Sequence, residues 1–198
     1  DNQELRVKIY TSEETNNFFD LTDGFRENGV PIPTFLSSNR VSGWKGVQLQ
    51  DIISINDNVK LTVGADYTLA ETSSDRFDQD IEDDGSRTIT QIAPFSPDYQ
   101  VETIAPFVQG YFNLFNDKLI VNPGFRYDFI KYSLIKDEYF PDLERLEENN
   151  TFASPSLGLQ YNINSNLALH GNVGRAFRTA RSFEIAGNFE DDRPGNMV

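Results

Sequence analysis

Two segments of the chain have residue types and spacing that suit site chemistry. Asp80-Ile81-Glu82-Asp83-Asp84-Gly85 sets carboxylates at alternate positions ahead of a glycine, as the opening of a calcium loop does, and Asp80, Glu82 and Asp84 are the side-chain oxygens it would offer. The twelfth position of such a loop, where a bidentate Glu is expected, holds Gln91, so the pattern predicts weak calcium binding at best and otherwise a solvated acidic loop. The second is a lone histidine. His170 suits a general base, but no Ser or Cys arrangement at recognisable spacing accompanies it, and the chain has no cysteine at all. A chain without nucleophile, thiolate or zinc motif reads as a non-enzyme with no resident cofactor.

The elements that would carry such residues follow from composition and period. Of 198 residues, 31 are acidic and 17 basic, giving a net charge of −14, and clustered cations that would suit nucleic acid are missing. The apolar fraction of 38% is low for an ordinary core, while 13% aromatic is too rich for a disordered chain. No apolar run is long enough for a transmembrane helix. The start, Asp1-Asn2-Gln3-Glu4, reads as a mature or internal one. Most of the negative charge falls in residues 12–40, 73–100 and 133–151, which read as three long acidic loops carrying aromatics such as Phe18, Phe19, Phe35, Phe77 and Phe95.

Between these stretches the hydrophobic period is two. Val59, Leu61, Val63, Ala65, Tyr67 and Leu69 alternate with Lys60, Thr62, Gly64, Asp66, Thr68 and Ala70, and Leu119 to Phe129 alternate with Ile120 to Ile130, where Arg126 and Asp128 share the polar face. Leu167, Leu169, Val173 and Phe177 form another apolar face, opposite His170 and Asn172. Seven strands are expected, at about 4–11, 41–55, 58–71, 102–115, 118–132, 153–163 and 166–178, with Gly187 to Phe189 opening an eighth. Tight polar turns at Asn56-Asp57, Asn116-Asp117 and Asn164-Ser165 alternate with the long loops. Strands this long, with short turns at one end and long loops at the other, predict an all-β, antiparallel up-and-down transmembrane β-barrel portion. The alternative is a soluble secreted β-sandwich, a binding or adhesion module with acidic contact loops.

Phe107-Val108-Gln109-Gly110-Tyr111-Phe112-Asn113-Leu114-Phe115-Asn116-Asp117-Lys118-Leu119 followed by Pro123-Gly124-Phe125-Arg126-Tyr127-Asp128 resembles the barrel of TonB-dependent outer-membrane receptors, in which an "NDKL" turn leads into "pGxRYD". Ser154 to Tyr161, Asn166 to Leu169 and Gly174-Arg175-Ala176-Phe177-Arg178-Thr179-Ala180 resemble later stretches of the same barrels, with Ala180 where proline is frequent. The resemblance implies that residues 1–198 are an interior slice of the C-terminal barrel domain, about seven or eight strands of a larger barrel, with the plug domain and the remaining strands absent from it. It implies a bacterial outer-membrane location and TonB-coupled import of a scarce nutrient, most often a ferric siderophore or other iron complex. The partners it implies are TonB, the plug, lipid and lipopolysaccharide, and a small nutrient ligand. On this reading Arg76, Arg87, Tyr99 and Tyr139 are extracellular ligand contacts, Arg by charge and Tyr by stacking. Asp66, Arg126, Asp128, His170, Asn172 and Arg178 face the lumen.

Overall fold

A computed structural model of the chain describes residues 2–25, 31–82, 84–95, 97–135, 139 and 147–178. It contains eight strands, β1 (Gln3–Phe25), β2 (Pro31–Asn56), β3 (Val59–Ile81), β4 (Arg87–Ile92), β5 (Asp98–Leu114), β6 (Leu119–Ile135), β7 (Glu147–Asn164) and β8 (Leu167–Gly174), and no helix among the described residues. All pairings are antiparallel in one sheet of order β1-β2-β3-β5-β6-β7-β8, with β4 paired to the outer part of β3. The architecture is a portion of an up-and-down barrel. A second sheet packed face to face, as the sandwich alternative requires, does not occur among the described residues.

Register decides which side chains share a face. Val47 stands opposite Tyr67, Tyr67 opposite Ile104, and Ile104 opposite Phe129, so the apolar set of each strand joins that of the next. The lower rows continue it through Leu114, Leu119, Tyr161 and Leu169. Ile9, Leu49, Ile104, Phe125, Phe129 and Tyr161 are all exposed on this face, an arrangement that only an apolar surrounding rewards. From Ile104 to Leu114, and from Leu119 to Phe129, the band runs ten residues along the strand. At ~3.3 Å per residue and a tilt near 40° that is ~25 Å, the height of the lipid-facing band of an outer-membrane barrel. In the next outward row above it Lys45, Glu102 and Lys131 bring charge to either side of Leu69. Asp51 is an exception on the outward face, and Gln3 Nε2 donates to its Oδ2 at 2.5 Å.

The three tight turns lie where the sequence places them, at residues 57–58, 115–118 and 165–166. Asn58 N–H and Asn166 N–H each donate to the side chain of the Asn two residues back, Asn56 and Asn164, at 2.9 Å. The middle turn holds Phe115, Asn116 and Asp117 in left-handed backbone with φ of 56°, 53° and 64°. Asn and Asp tolerate that region, whereas Phe115 needs the surrounding bonds to hold it there. Lys118 N–H donates to the Phe115 carbonyl at 3.4 Å, and the Asn113 amide bonds the Asp117 carboxylate.

At the opposite end the structure corrects the expected loops. Residues 12–25 and 31–40 continue β1 and β2 as a ladder, and residues 73–81 continue β3, so these acidic stretches are strand extensions. Polar cross-strand pairs hold them: Ser42 with Thr72 at 3.1 Å, Thr34 with Asp80 at 3.1 Å, Gln79 with Ser37 at 3.3 Å and Gln91 with Asp75 at 3.1 Å. The extra strand, β4, folds back at Gly85, whose φ of 81° suits glycine. Of the third expected loop, 147–151 belong to β7, and 136–138 and 140–146 fall outside the described residues. So does the strand expected at Gly187.

Face assignment yields a direct test. Val63 points to the apolar side and Thr62 to the other, so Val63→Arg should lower the stability of the receptor folded into lipid vesicles by ~2 to 4 kcal/mol, while Thr62→Arg should cost little. Equal losses at the two positions, measured from urea unfolding midpoints, would reverse the assignment.

Candidate lumen wall and outer cleft

The face opposite the apolar band carries the polar residues and is the more enclosed. Asp66 stands opposite Gln48 on β2, and Arg126 on β6 stands opposite Phe107 on β5 and Ser154 on β7. Gln48 Nε2 donates to Asp66 Oδ1 at 2.8 Å, Arg126 Nη1 bonds Asp66 Oδ2, and Arg126 Nε donates to Asp128 Oδ1 at 2.9 Å. The expected Arg126–Asp128 pair therefore exists, extended by Asp66, which the residue spacing alone did not connect to it. A groove of about 390 Å³ opens over this network, lined by Gln48, Gln50, Asp66, Phe107, Arg126 and Ser154 among others. His170 and Asn172 share the same face, opposite Gln160 and Gly158. Arg178 lies in irregular backbone beyond the end of β8, where strand parity no longer fixes its side.

Glycines shape this wall by letting rings lie flat on it. Tyr10 covers Gly46 and reaches past it to bond Thr68 on β3 at 2.9 Å, so one ring links three strands. Phe107 covers Gly64 in the same way: a Cβ at Gly64 would fall 2.5 Å from the Leu49 carbonyl oxygen and 2.6 Å from the Phe107 ring.

Above the polar network the same face becomes apolar. Val101, Ile130, Tyr132 and Leu134 are buried together, with Ala70, Tyr99, Phe152 and Phe177 packed against them. Phe177 corrects the sequence expectation, which gave it to the outward face with Val173. β8 ends at Gly174, and after Arg175 N–H has donated to the Pro155 carbonyl at 3.0 Å the chain departs from the ladder and stacks Phe177 on Phe152, 4.5 Å between centroids and 8° between planes.

Higher still, the extensions of β1 and β2 enclose an outer cleft of about 330 Å³, lined by Asn16, Phe18, Ser38, Arg40 and Phe95. The Arg76 guanidinium lies over the Phe95 ring, 4.0 Å from its centroid. Of the four ligand contacts expected from sequence none lines this cleft directly, and Arg76 touches it through Phe95. Arg87 is exposed on β4 opposite Ile81, Tyr99 is taken into the apolar cluster, and Tyr139 is half-buried. Asn16, Ser38 and Arg40 were missed because they fell inside a presumed loop. Reading residues 12–40 as a hairpin would have paired Asn16 with Arg40 and Phe18 with Ser38.

The candidate calcium ligands are not gathered. Asp80 accepts from Thr34, Glu82 accepts from the Thr88 hydroxyl at 3.2 Å, and Asp84 accepts from Ser86 N–H at 2.9 Å. The Ser86 hydrogen bonds hold the Asp84 carboxyl below its usual range. Among the described residues no three potential ligand groups converge. The strand ladder is the physical reason: it fixes Asp80 on β3 while Asp84 belongs to the hairpin turn.

The glycine wall predicts a contrast. Gly64→Ala should destabilise the refolded receptor by ~1 to 3 kcal/mol through overpacking against backbone, whereas Gly171→Ala, with no atom within 4 Å of its added Cβ, should stay within about 0.5 kcal/mol of wild type. Urea midpoints in detergent micelles would check both.

No curated protein matches the chain. The family model described as TonB dependent receptor-like, beta-barrel matches residues 1–197. With its antiparallel sheet, ~25 Å apolar band and polar inner face, the chain belongs to the TonB-dependent receptor β-barrel family, whose barrels are outer-membrane transport receptors.

Proposed function

We propose that the chain is part of a bacterial outer-membrane receptor that binds a small anionic nutrient complex, a ferric siderophore being the leading class, outside the cell and imports it with TonB-coupled energy. The observation that carries this reading is the outer cleft, where Arg40 supplies charge and Phe18 and Phe95 supply ring faces on the inward side of the extensions. Such a combination suits a ligand with negative charge and flat donor groups. The plug and TonB enter as partners through the family, lipid and lipopolysaccharide through the outward face. The role is binding and passage without bond making.

Binding should depend on the cleft. In the full-length receptor Arg40→Ala should weaken a ferric chelate by ~10- to 100-fold, the worth of one charge-assisted hydrogen bond, with Arg87→Ala near wild type. Unchanged titration curves for Arg40→Ala with every anionic chelate that the receptor binds would overturn the assignment. Orientation has its own check. Cysteines introduced at Ser86 and Asn149 should react with an impermeant thiol reagent on intact cells, and one at Asp57 should not.

A further inference from the structure

The lumen network is short of one positive group. Asp66 and Asp128 share a single guanidinium, Arg126, which leaves the trio with a net charge of −1. Asp66 has both oxygens engaged, one by Gln48 and one by Arg126. Asp128 has one: its Oδ1 accepts from Arg126 Nε, while Oδ2 has no hydrogen-bond partner although the side chain is only 2% exposed. A buried carboxylate oxygen without a donor is costly, and carboxylates buried in proteins are ordinarily paired. The surroundings do not supply the missing donor: across the ladder Asp128 faces Phe152, its neighbours on the same face of β6 are Ile130 and Arg126, whose Nε is given to Oδ1 and Nη1 to Asp66, and Ala105 stands opposite Asp66.

We infer that the Asp66–Arg126–Asp128 trio is a seat for a cationic donor, a guanidinium or ammonium group, that enters the groove from the lumen. A neutral amide would satisfy the orphan oxygen and leave the charge. An anion is disfavoured because the local arginine is already outnumbered by carboxylates. Arg126, with its side chain 37% exposed, is the member able to give way, sliding toward Asp66 while the incoming group takes Asp128. The seat is separate from the outer cleft and does not depend on what that cleft binds. The cation has two possible sources: a Lys or Arg side chain of the receptor's own lumen-filling segment, or a free cation in solution.

The test uses the full-length receptor with a cysteine at Ser154, the register neighbour of Arg126 that lines the groove. Its reaction rates with a trimethylammonium-bearing and a neutral methanethiosulfonate are compared in Asp128→Asn, Asp66→Asn and Asp128→Glu backgrounds. If a side chain of the receptor fills the seat, both reagents react slowly, and removing either charge speeds both by about tenfold while Asp128→Glu does not. If the seat is open to solution, the cationic reagent is favoured by about tenfold, and that preference is lost in Asp128→Asn and on adding argininamide. Should Asp128→Asn fail to fold, Asp66→Asn carries the same comparison. Rates that are independent of both carboxylates and of argininamide would overturn the inference.

Discussion

Everything in this structure depends on an unbroken backbone ladder through a layer that offers no water. Each N–H and C=O within the band must find a partner on a neighbouring strand, since an orphan group in hydrocarbon costs several kcal/mol. The register is accordingly continuous across the sheet, and its two irregularities, at Ser54/Asn56 and Asn162/Asn164, sit beside the tight turns. Continuity fixes parity, and parity sorts side chains between lipid and lumen. A slip of one residue would exchange the two faces wholesale. Gly46 and Gly64 belong to the same constraint, because they admit rings that cover and brace the ladder without displacing it.

Hydrophobic alternation reports contact with an apolar surrounding, and it stops where that surrounding stops. This is why the spans of β3, β5, β6 and β7 were legible in the sequence and the outer halves of β1, β2 and β3 were not. Above the row that holds Lys45, Glu102 and Lys131 the outward side chains leave the apolar layer, and a strand there needs partners for its backbone but no apolar period on that face. Asp75, Asp78 and Asp80 thus read as loop while lying in β3. β4 was invisible for the same reason. Phe177 failed differently, since its parity was read correctly along a strand that ends three residues earlier.

The site residues divide along similar lines. Arg126 and Asp128 are two apart on one strand, so their pairing follows from period alone. Asp66 is sixty residues from Arg126 in the chain and meets it because β5, not β4, lies between their strands across the band. No local pattern encodes that adjacency. Arg40 was concealed by its position in a stretch without period, although its partner Asn16 lies on the same hairpin.

The two arginine environments show how neighbours set what one residue type can do. Arg126 is enclosed between two carboxylates, one of them with an unsatisfied oxygen, and its surroundings attract positive charge. Arg40 lines an open cleft with Phe18 and Phe95 and has no carboxylate at ion-pair distance among the described residues, so its charge is not neutralised by a neighbour. The strongly acidic extensions sharpen this difference. Negative charge on Asp75, Asp78, Asp80 and Glu82 repels an anion from the surface around the cleft, and screening over the Debye length of ~8 Å leaves the local cation to decide where it stops. An acidic outer surface with an arginine recess is therefore compatible with anionic cargo, provided that recognition is short-ranged and made by the recess itself.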